Sequence, residues 1–150
     1  VNTRAPRGRF AALGLLLGLV LALLLPMGPA SAYSACTNTA YRSTSPNFYY
    51  PVTSSGSSQC EAGIWLASTS YSGVKTLQSA LNACYATGLS VDGHYGSRTK
   101  AAIEMVQRRH GITVDGGYGP QTRNAMRWPK YYQGRGIGCI SFQQTVWGTV

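Results

Sequence analysis

The chain holds four carboxylates, Glu61, Asp92, Glu104 and Asp115, two histidines, His94 and His110, and four cysteines, Cys36, Cys60, Cys84 and Cys139. Glycan hydrolysis needs two carboxylates flanking the scissile bond. Asp92 and Asp115 each precede a glycine, and in an Asp-Gly pair the carboxylate accepts from backbone N–H groups just ahead. They read as turn formers. A hydrolytic zinc site needs several His, Asp or Cys ligands plus an open position. Two histidines, one at a helix end and one in a turn, do not supply it, and no C-x-x-C is present. A calcium loop fails as well. Counted from Asp92 the ligand positions fall on His94, Gly96 and Ile103, and from Asp115 on Gly117, Gly119 and Met126. A cysteine nucleophile needs a free thiol beside a base. An even number of cysteines in a short exported chain argues instead for two disulfides. No catalytic residue, metal or cofactor is expected.

The side chains suited to binding are Tyr95, Tyr118, Arg98, Arg123 and Trp128. A tyrosine ring offers an apolar face to a sugar ring or an alanyl methyl group, and its hydroxyl meets a polar one. The same two rings can instead pack across the turns that carry them. Arg98 and Arg123 lie early in two predicted helices, where a guanidinium can pair with a ligand carboxylate. Arg108 and Arg109, at a helix C-terminus, suit the macrodipole without any ligand. Trp128 stands near Tyr131, Tyr132, Lys130 and Arg127, as a stacking surface or as the seam that holds the tail.

What positions these residues is an internal repeat. Residues 88–103 align with 111–126, and eight of the 16 positions are identical. One structural unit is therefore used twice. In each copy an Asp-Gly pair (Asp92-Gly93, Asp115-Gly116) and a later glycine (Gly96, Gly119) form the turn. Ser97 or Pro120 then opens a helix, and Thr99 or Thr122 falls in its first turn. Ahead of the repeat, Val74, Leu77, Leu81 and Cys84 recur at helical spacing from Ser72-Gly73 to about Tyr85-Ala86. A second helix is predicted from Ser97 to Arg109, with Gly111 as its cap. A third runs from Pro120 to about Arg127, where Pro129 blocks it. The expected fold is an all-α, three-helix bundle.

Residues 1–32 read as a secretory signal peptide. Arg4, Arg7 and Arg9 precede the apolar run Phe10–Leu25, and Ala30-Ser31-Ala32 suits cleavage. The rival reading, lipidation at Cys36, is weakened by Tyr33 where an aliphatic residue belongs. Three of the 13 Lys and Arg residues leave with the signal, so ten remain against four carboxylates. A basic exported protein suits anionic wall polymers. Neither nucleic acid nor a membrane span after cleavage is expected. Residues 33–72 form a Ser/Thr/Tyr-rich N-terminal extension in which Phe48–Val52 is a candidate extended piece. The glycines of the 129–150 extension argue for irregular structure, with Phe142, Val146 and Trp147 as a strand or a cover. In a three-helix arrangement the first and third helices point the same way, bringing Cys84 toward the tail that bears Cys139. That favours Cys84–Cys139 with Cys36–Cys60, one of three connectivities.

The ordered string Val74-x-x-Leu77-Gln78-x-x-Leu81, Val91-Asp92-Gly93-x-Tyr95-Gly96-x-x-Thr99-x-x-Ala102, Val106-Gln107-x-x-x-Gly111 and Val114-Asp115-Gly116-x-Tyr118-Gly119-Pro120-x-Thr122-x-x-Ala125 resembles the peptidoglycan-binding-like repeat domain. It covers residues 73–128. The resemblance implies a three-helix bundle of two related halves and a wall-attachment role, usually beside a wall-degrading enzyme. This sequence departs in having Val106 where an aromatic residue is usual, and in lacking an accompanying catalytic domain. The gap from Gln78 to its Asp-Gly turn also exceeds that from Gln107. The expected function is a secreted, non-catalytic bacterial wall-binding module, with peptidoglycan or another anionic wall polymer as partner and a separate wall enzyme as a further one. The competing class is an exported protein-interaction or inhibitory module. A membrane-active protein is disfavoured, because no segment after residue 32 is both amphipathic and cationic.

Overall fold

A computed structural model describes residues 33–43 and 47–143. The expected signal peptide lies outside these residues, as do Val146 and Trp147. In chain order come β1 (Ser34–Ala35), β2 (Asn38–Arg42), β3 (Phe48–Val52), β4 (Cys60–Glu61), a 3-10 turn (Ile64–Leu66), α1 (Ser72–Tyr85), α2 (Ser97–Arg109), α3 (Pro120–Ala125), β5 (Arg127–Tyr132) and β6 (Arg135–Ser141). The all-α expectation is overturned. The three helices are joined by three two-stranded sheets, β1 with β4 in parallel and β2–β3 and β5–β6 antiparallel.

The helices follow the apolar periodicity. Val74, Leu77, Ala80 and Leu81 of α1 and Ala102, Ile103 and Val106 of α2 share one buried core with Leu89 and Met126. Ala86, in the left-handed region at φ 54°, ends α1, and Gly111 at φ 63° follows α2. Helix α3 is shorter than expected because the backbone at Met126 is already extended (φ −74°, ψ 162°). Trp128 and Pro129 therefore belong to β5, not to a helix end.

The described parts of both extensions carry ordered strands rather than irregular arms. In 129–143 the glycines serve a hairpin. Gln133 (φ 48°) and Gly134 (φ 75°) both take positive φ between the paired Tyr132 and Arg135. That is the primed two-residue turn whose twist suits antiparallel strands. Pro129 faces Cys139 while Tyr131 faces Gly136, so β6 holds one extra residue, a bulge at Gly138 (φ 121°). Isolated bridges Asn47–Tyr131 and Ala62–Tyr118 tie the N-terminal extension to β5 and to the second repeat loop. At Gly73 the incoming chain crosses α1 so closely that a Cβ would sit 2.4 Å from the Cys36 carbonyl oxygen.

The cysteines pair Cys36–Cys60 and Cys84–Cys139, with Cα separations of 5.0 and 5.9 Å. The second bridge fastens α1 to strand β6, so the tail reaches Cys84 as half of a hairpin rather than by following α3.

Candidate functional site

Each Asp-Gly loop is held by a buried glutamine from the helix before it. The Gln78 amide Nε2 donates to Asp92 Oδ1 (2.9 Å), the His94 carbonyl (3.1 Å) and Thr99 Oγ1 (3.3 Å), and its Oε1 accepts from the Gly93 N–H (2.9 Å). Gln107 repeats the pattern. It donates to Asp115 Oδ1 (2.7 Å), the Gly117 carbonyl (3.0 Å) and Thr122 Oγ1 (3.1 Å), and it accepts from the N–H groups of Asp115 and Gly116. Both aspartates also accept from the N–H two residues on, His94 and Gly117. The Gln78 and His94 hydrogen bonds, the former the larger influence, hold the Asp92 carboxyl below the usual range. Both carboxylates are engaged by hydrogen bonds within their own loops. Among the described residues no three His, Cys, Asp or Glu side chains group in a way that would hold a metal ion.

Of the five binding candidates, four are buried. Tyr95 is 0 % exposed, Tyr118 1 %, Trp128 0 % and Arg123 5 %. The Tyr95 hydroxyl donates to the Gly116 carbonyl of the other loop (2.9 Å), and burial pushes its pKa up. Burial also raises the Tyr118 pKa; its ring meets Trp128 edge-on at 6.1 Å, and its hydroxyl has no partner among the described residues. Trp128 Nε1 donates to the Arg123 carbonyl at the end of α3 (3.1 Å). Arg123 stacks 4.6 Å over Phe142 and donates to the Ser58 carbonyl and to Asn124 Oδ1, and burial lowers its pKa. These side chains knit the repeats to both extensions, and no ligand can reach their faces without displacing the packing.

Arg98 is different. It lies exposed in the first turn of α2, between two depressions. One, of about 230 Å³, is polar and borders the first loop at Ser90, Asp92, His94 and Ser97. The other, of about 320 Å³, is lined by Thr87, Leu89, Ala101, Ala102 and Met105. Arg98 borders both. The second repeat places the exposed Gln121 at the position of Arg98, and both loops are packed against at their glycines: a Cβ at Gly93 would meet Ser70 Oγ at 2.5 Å and the Tyr71 carbonyl oxygen at 2.9 Å. A Cβ at Gly116 would meet the Lys100 side chain at 2.7 Å, and Lys100 pairs with Glu104 at 3.3 Å. The repeat is symmetric in its scaffold, and its two exposed surfaces differ in charge, Arg98 standing in one where Gln121 stands in the other.

Sequence reasoning assigned no role to Gln78 and Gln107. The signal was there: a polar residue in the apolar stripe of each helix, preceding each loop. It also passed over Tyr41 and Tyr49, which are 50 % and 46 % exposed.

Residues 70–126 match the family described as "Putative peptidoglycan binding domain". No curated protein matches the chain. A crystal structure of a peptidoglycan-binding protein from Clostridioides difficile, in complex with glutamine hydroxamate, is similar over 57 % of this chain at 22 % identity and a TM-score of 0.41. The chain spans about half of that structure, 48 %.

Proposed function

We propose, from the match of residues 70–126 to the family described as a putative peptidoglycan binding domain, an exported, non-catalytic protein that holds the bacterial wall through the surface around Arg98. The observation that carries this reading is the asymmetry of the repeat. Of the five candidates, only Arg98 is left exposed, and it stands between a polar and an apolar depression. A guanidinium suits the carboxylate of a peptide stem. The apolar depression at Leu89, Ala102 and Met105 suits an alanyl methyl, and the polar one suits backbone amides.

Two disulfides agree with an exported location. No helix among the described residues is long and apolar enough to cross a membrane. The test is sedimentation of the oxidised protein with purified sacculi, before and after removal of teichoic acids, across salt. Retention on the stripped wall at moderate salt, lost in Arg98→Gln, is expected. Retention only on the unstripped wall at low salt reduces the contact to charge. No retention under any condition overturns the reading.

The second reading, an exported protein-interaction or inhibitory module, is favoured by one feature. Ile64 and Trp65 of the 3-10 turn are 52 % and 57 % exposed. The turn spans the gap between the two repeat loops, since Ala62 pairs with Tyr118 and the Leu66 carbonyl accepts from the Tyr95 N–H. An exposed apolar pair on an ordered turn suits a protein partner. Trp65→Ser leaves sacculus binding unchanged under the first reading.

A further inference from the structure

The extensions outside the family domain build a second surface. Tyr41 on β2 pairs with Tyr49 on β3, and the Asn47–Tyr131 bridge sets β3 beside β5. Alternation along β3 turns Phe48 inward, where it is 0 % exposed, and Tyr49 outward. The rings of Tyr41, Tyr49 and Tyr131 follow one another across three strands, with centroids 4.9 Å and then 6.0 Å apart. Beside Tyr49 and Tyr131 opens a cleft of about 250 Å³, backed by Pro129 and edged by Lys75, Thr76 and Ser79 of α1. The four carboxylates of the chain lie elsewhere. Asp92 and Asp115 are in the repeat loops, Glu104 pairs with Lys100 and Arg108, and Glu61 stands against Gly119. The cleft is aromatic, hydroxylated and cationic.

We propose that this cleft is a glycan-binding site that takes the N-acetylated pyranose units of a strand, a lactyl carboxylate free of its peptide stem directed toward Lys75. The proposal rests on the wall-binding reading for its choice of ligand, and it assigns the glycan to a face that the Arg98 surface does not include. The ring of Tyr49 is inclined at 41° to Tyr41 and at 72° to Tyr131, so the row is a stepped aromatic wall, and Tyr49 and Tyr131 both line the cleft. The CH face of a sugar meets such rings, and its hydroxyls and acetamido groups meet hydroxyls and an ammonium. A protein partner of an apolar patch would find leucine, isoleucine or methionine on the rim, and none lines this cleft. The positive charge of Lys75, which forms no ion pair among the described residues, complements an anionic strand.

The test measures binding of peptide-free glycan strands, cut from sacculi, to the oxidised protein by calorimetry. Tyr49→Ala and Tyr131→Ala are expected to weaken binding about tenfold each, and Lys75→Gln to reduce its salt dependence. Should an alanine variant misfold, Tyr49→Leu keeps the bulk while removing the ring face, and its thermal midpoint reports the fold. Strands that do not bind, or that bind Tyr49→Ala and Tyr49→Leu as tightly as the native chain, overturn the glycan site. The same preparations sedimented with intact sacculi separate the two failures. Native protein that still pellets leaves the Arg98 reading standing and removes only this one.

Discussion

The Tyr95 hydroxyl, carried by the first Asp-Gly loop, donates to the Gly116 carbonyl in the second at 2.9 Å. Tyr118 occupies the same position one repeat later, and among the described residues no third such loop stands within its reach. Its backbone instead pairs with Ala62 in both directions, at 2.8 Å each, and its buried hydroxyl has no partner among the described residues. Two tyrosines equivalent in sequence therefore differ in energetics. Tyr95→Phe leaves a carbonyl without its donor and is expected to cost about 1–3 kcal/mol. Tyr118→Phe removes a hydroxyl that gains nothing from its burial, and is expected to be neutral or stabilising. Urea unfolding midpoints of the two variants, at equal m-value, check the contrast. Equal losses from both would contradict it.

The glutamine clamps predict local rather than uniform loosening. Gln107→Ala strips an acceptor from the Asp115 and Gly116 N–H groups and a donor from Asp115 Oδ1. A cost of about 2–3 kcal/mol is expected. Amide exchange reads where the change falls. The Gly116 N–H should lose protection in Gln107→Ala and the Gly93 N–H in Gln78→Ala, each loop answering only to its own glutamine.

How far these features were legible in the sequence depends on their range. Helices α1 and α2 declared themselves because three or four apolar residues recur on one face of each. The loops did so because Asp-Gly has few alternatives to a turn. Depth was not legible. A tyrosine after Asp-Gly looks the same whether its ring faces solvent or, as with Tyr95 and Tyr118, the core. What buries those rings is distant in sequence: Ala62 and Leu66 pair with the loops, and Trp128 lies against Tyr118. The hairpin of β5 and β6 was missed because its strands lack a clean apolar alternation: β5 carries a proline, and the seven residues of β6 include two glycines and are largely exposed. Gln133-Gly134 is also a weaker turn signal than Asn-Gly, although both residues take the positive φ that such a turn requires.

Acid should weaken the fold in two separate windows. The Tyr85 hydroxyl accepts from the Arg127 N–H at 2.6 Å, which leaves its proton for His110 Nε2 at 2.8 Å. The bond needs a neutral imidazole. Partial burial, and then Arg109 and Arg127, lower the His110 pKa. The folded state thus binds this proton more weakly than the unfolded chain. Its contribution to stability is complete above the ordinary histidine value of about 6.5 and is lost as pH falls from there through the lower folded value. His110→Gln, which still accepts from Tyr85, should flatten that fall. Asp92 acts further down. Its depressed pKa gives a contribution complete above the ordinary carboxylate value of about 4, which is lost as pH drops through the folded value. Unfolding free energies measured from pH 7 to pH 3 for the native chain and His110→Gln should differ in slope only in the upper window.

Arg98 and Arg123 give the sharpest separation of binding from stability. Each precedes or follows a repeat threonine by one residue, and the sequence offers both as carboxylate partners. The structure divides them. The Arg123 guanidinium lies over Phe142 and donates to the Ser58 carbonyl, joining the second repeat to both extensions. Losing it strands a half-buried carbonyl and removes a cation from an aromatic face, so Arg123→Gln should cost about 1–3 kcal/mol. Arg98 is exposed, with no hydrogen bond or ion pair of the scaffold resting on it among those described above. Arg98→Gln should leave the thermal midpoint within about 2 °C, as surface changes of under about 0.5 kcal/mol do. On stripped sacculi the order reverses. Arg98→Gln should release the protein, while Arg123→Gln, assayed well below its own midpoint, should still pellet. If Arg123→Gln alone were to abolish retention while folded, the contact would lie at the seam between α3 and the tail, and the surface around Arg98 would not be the site.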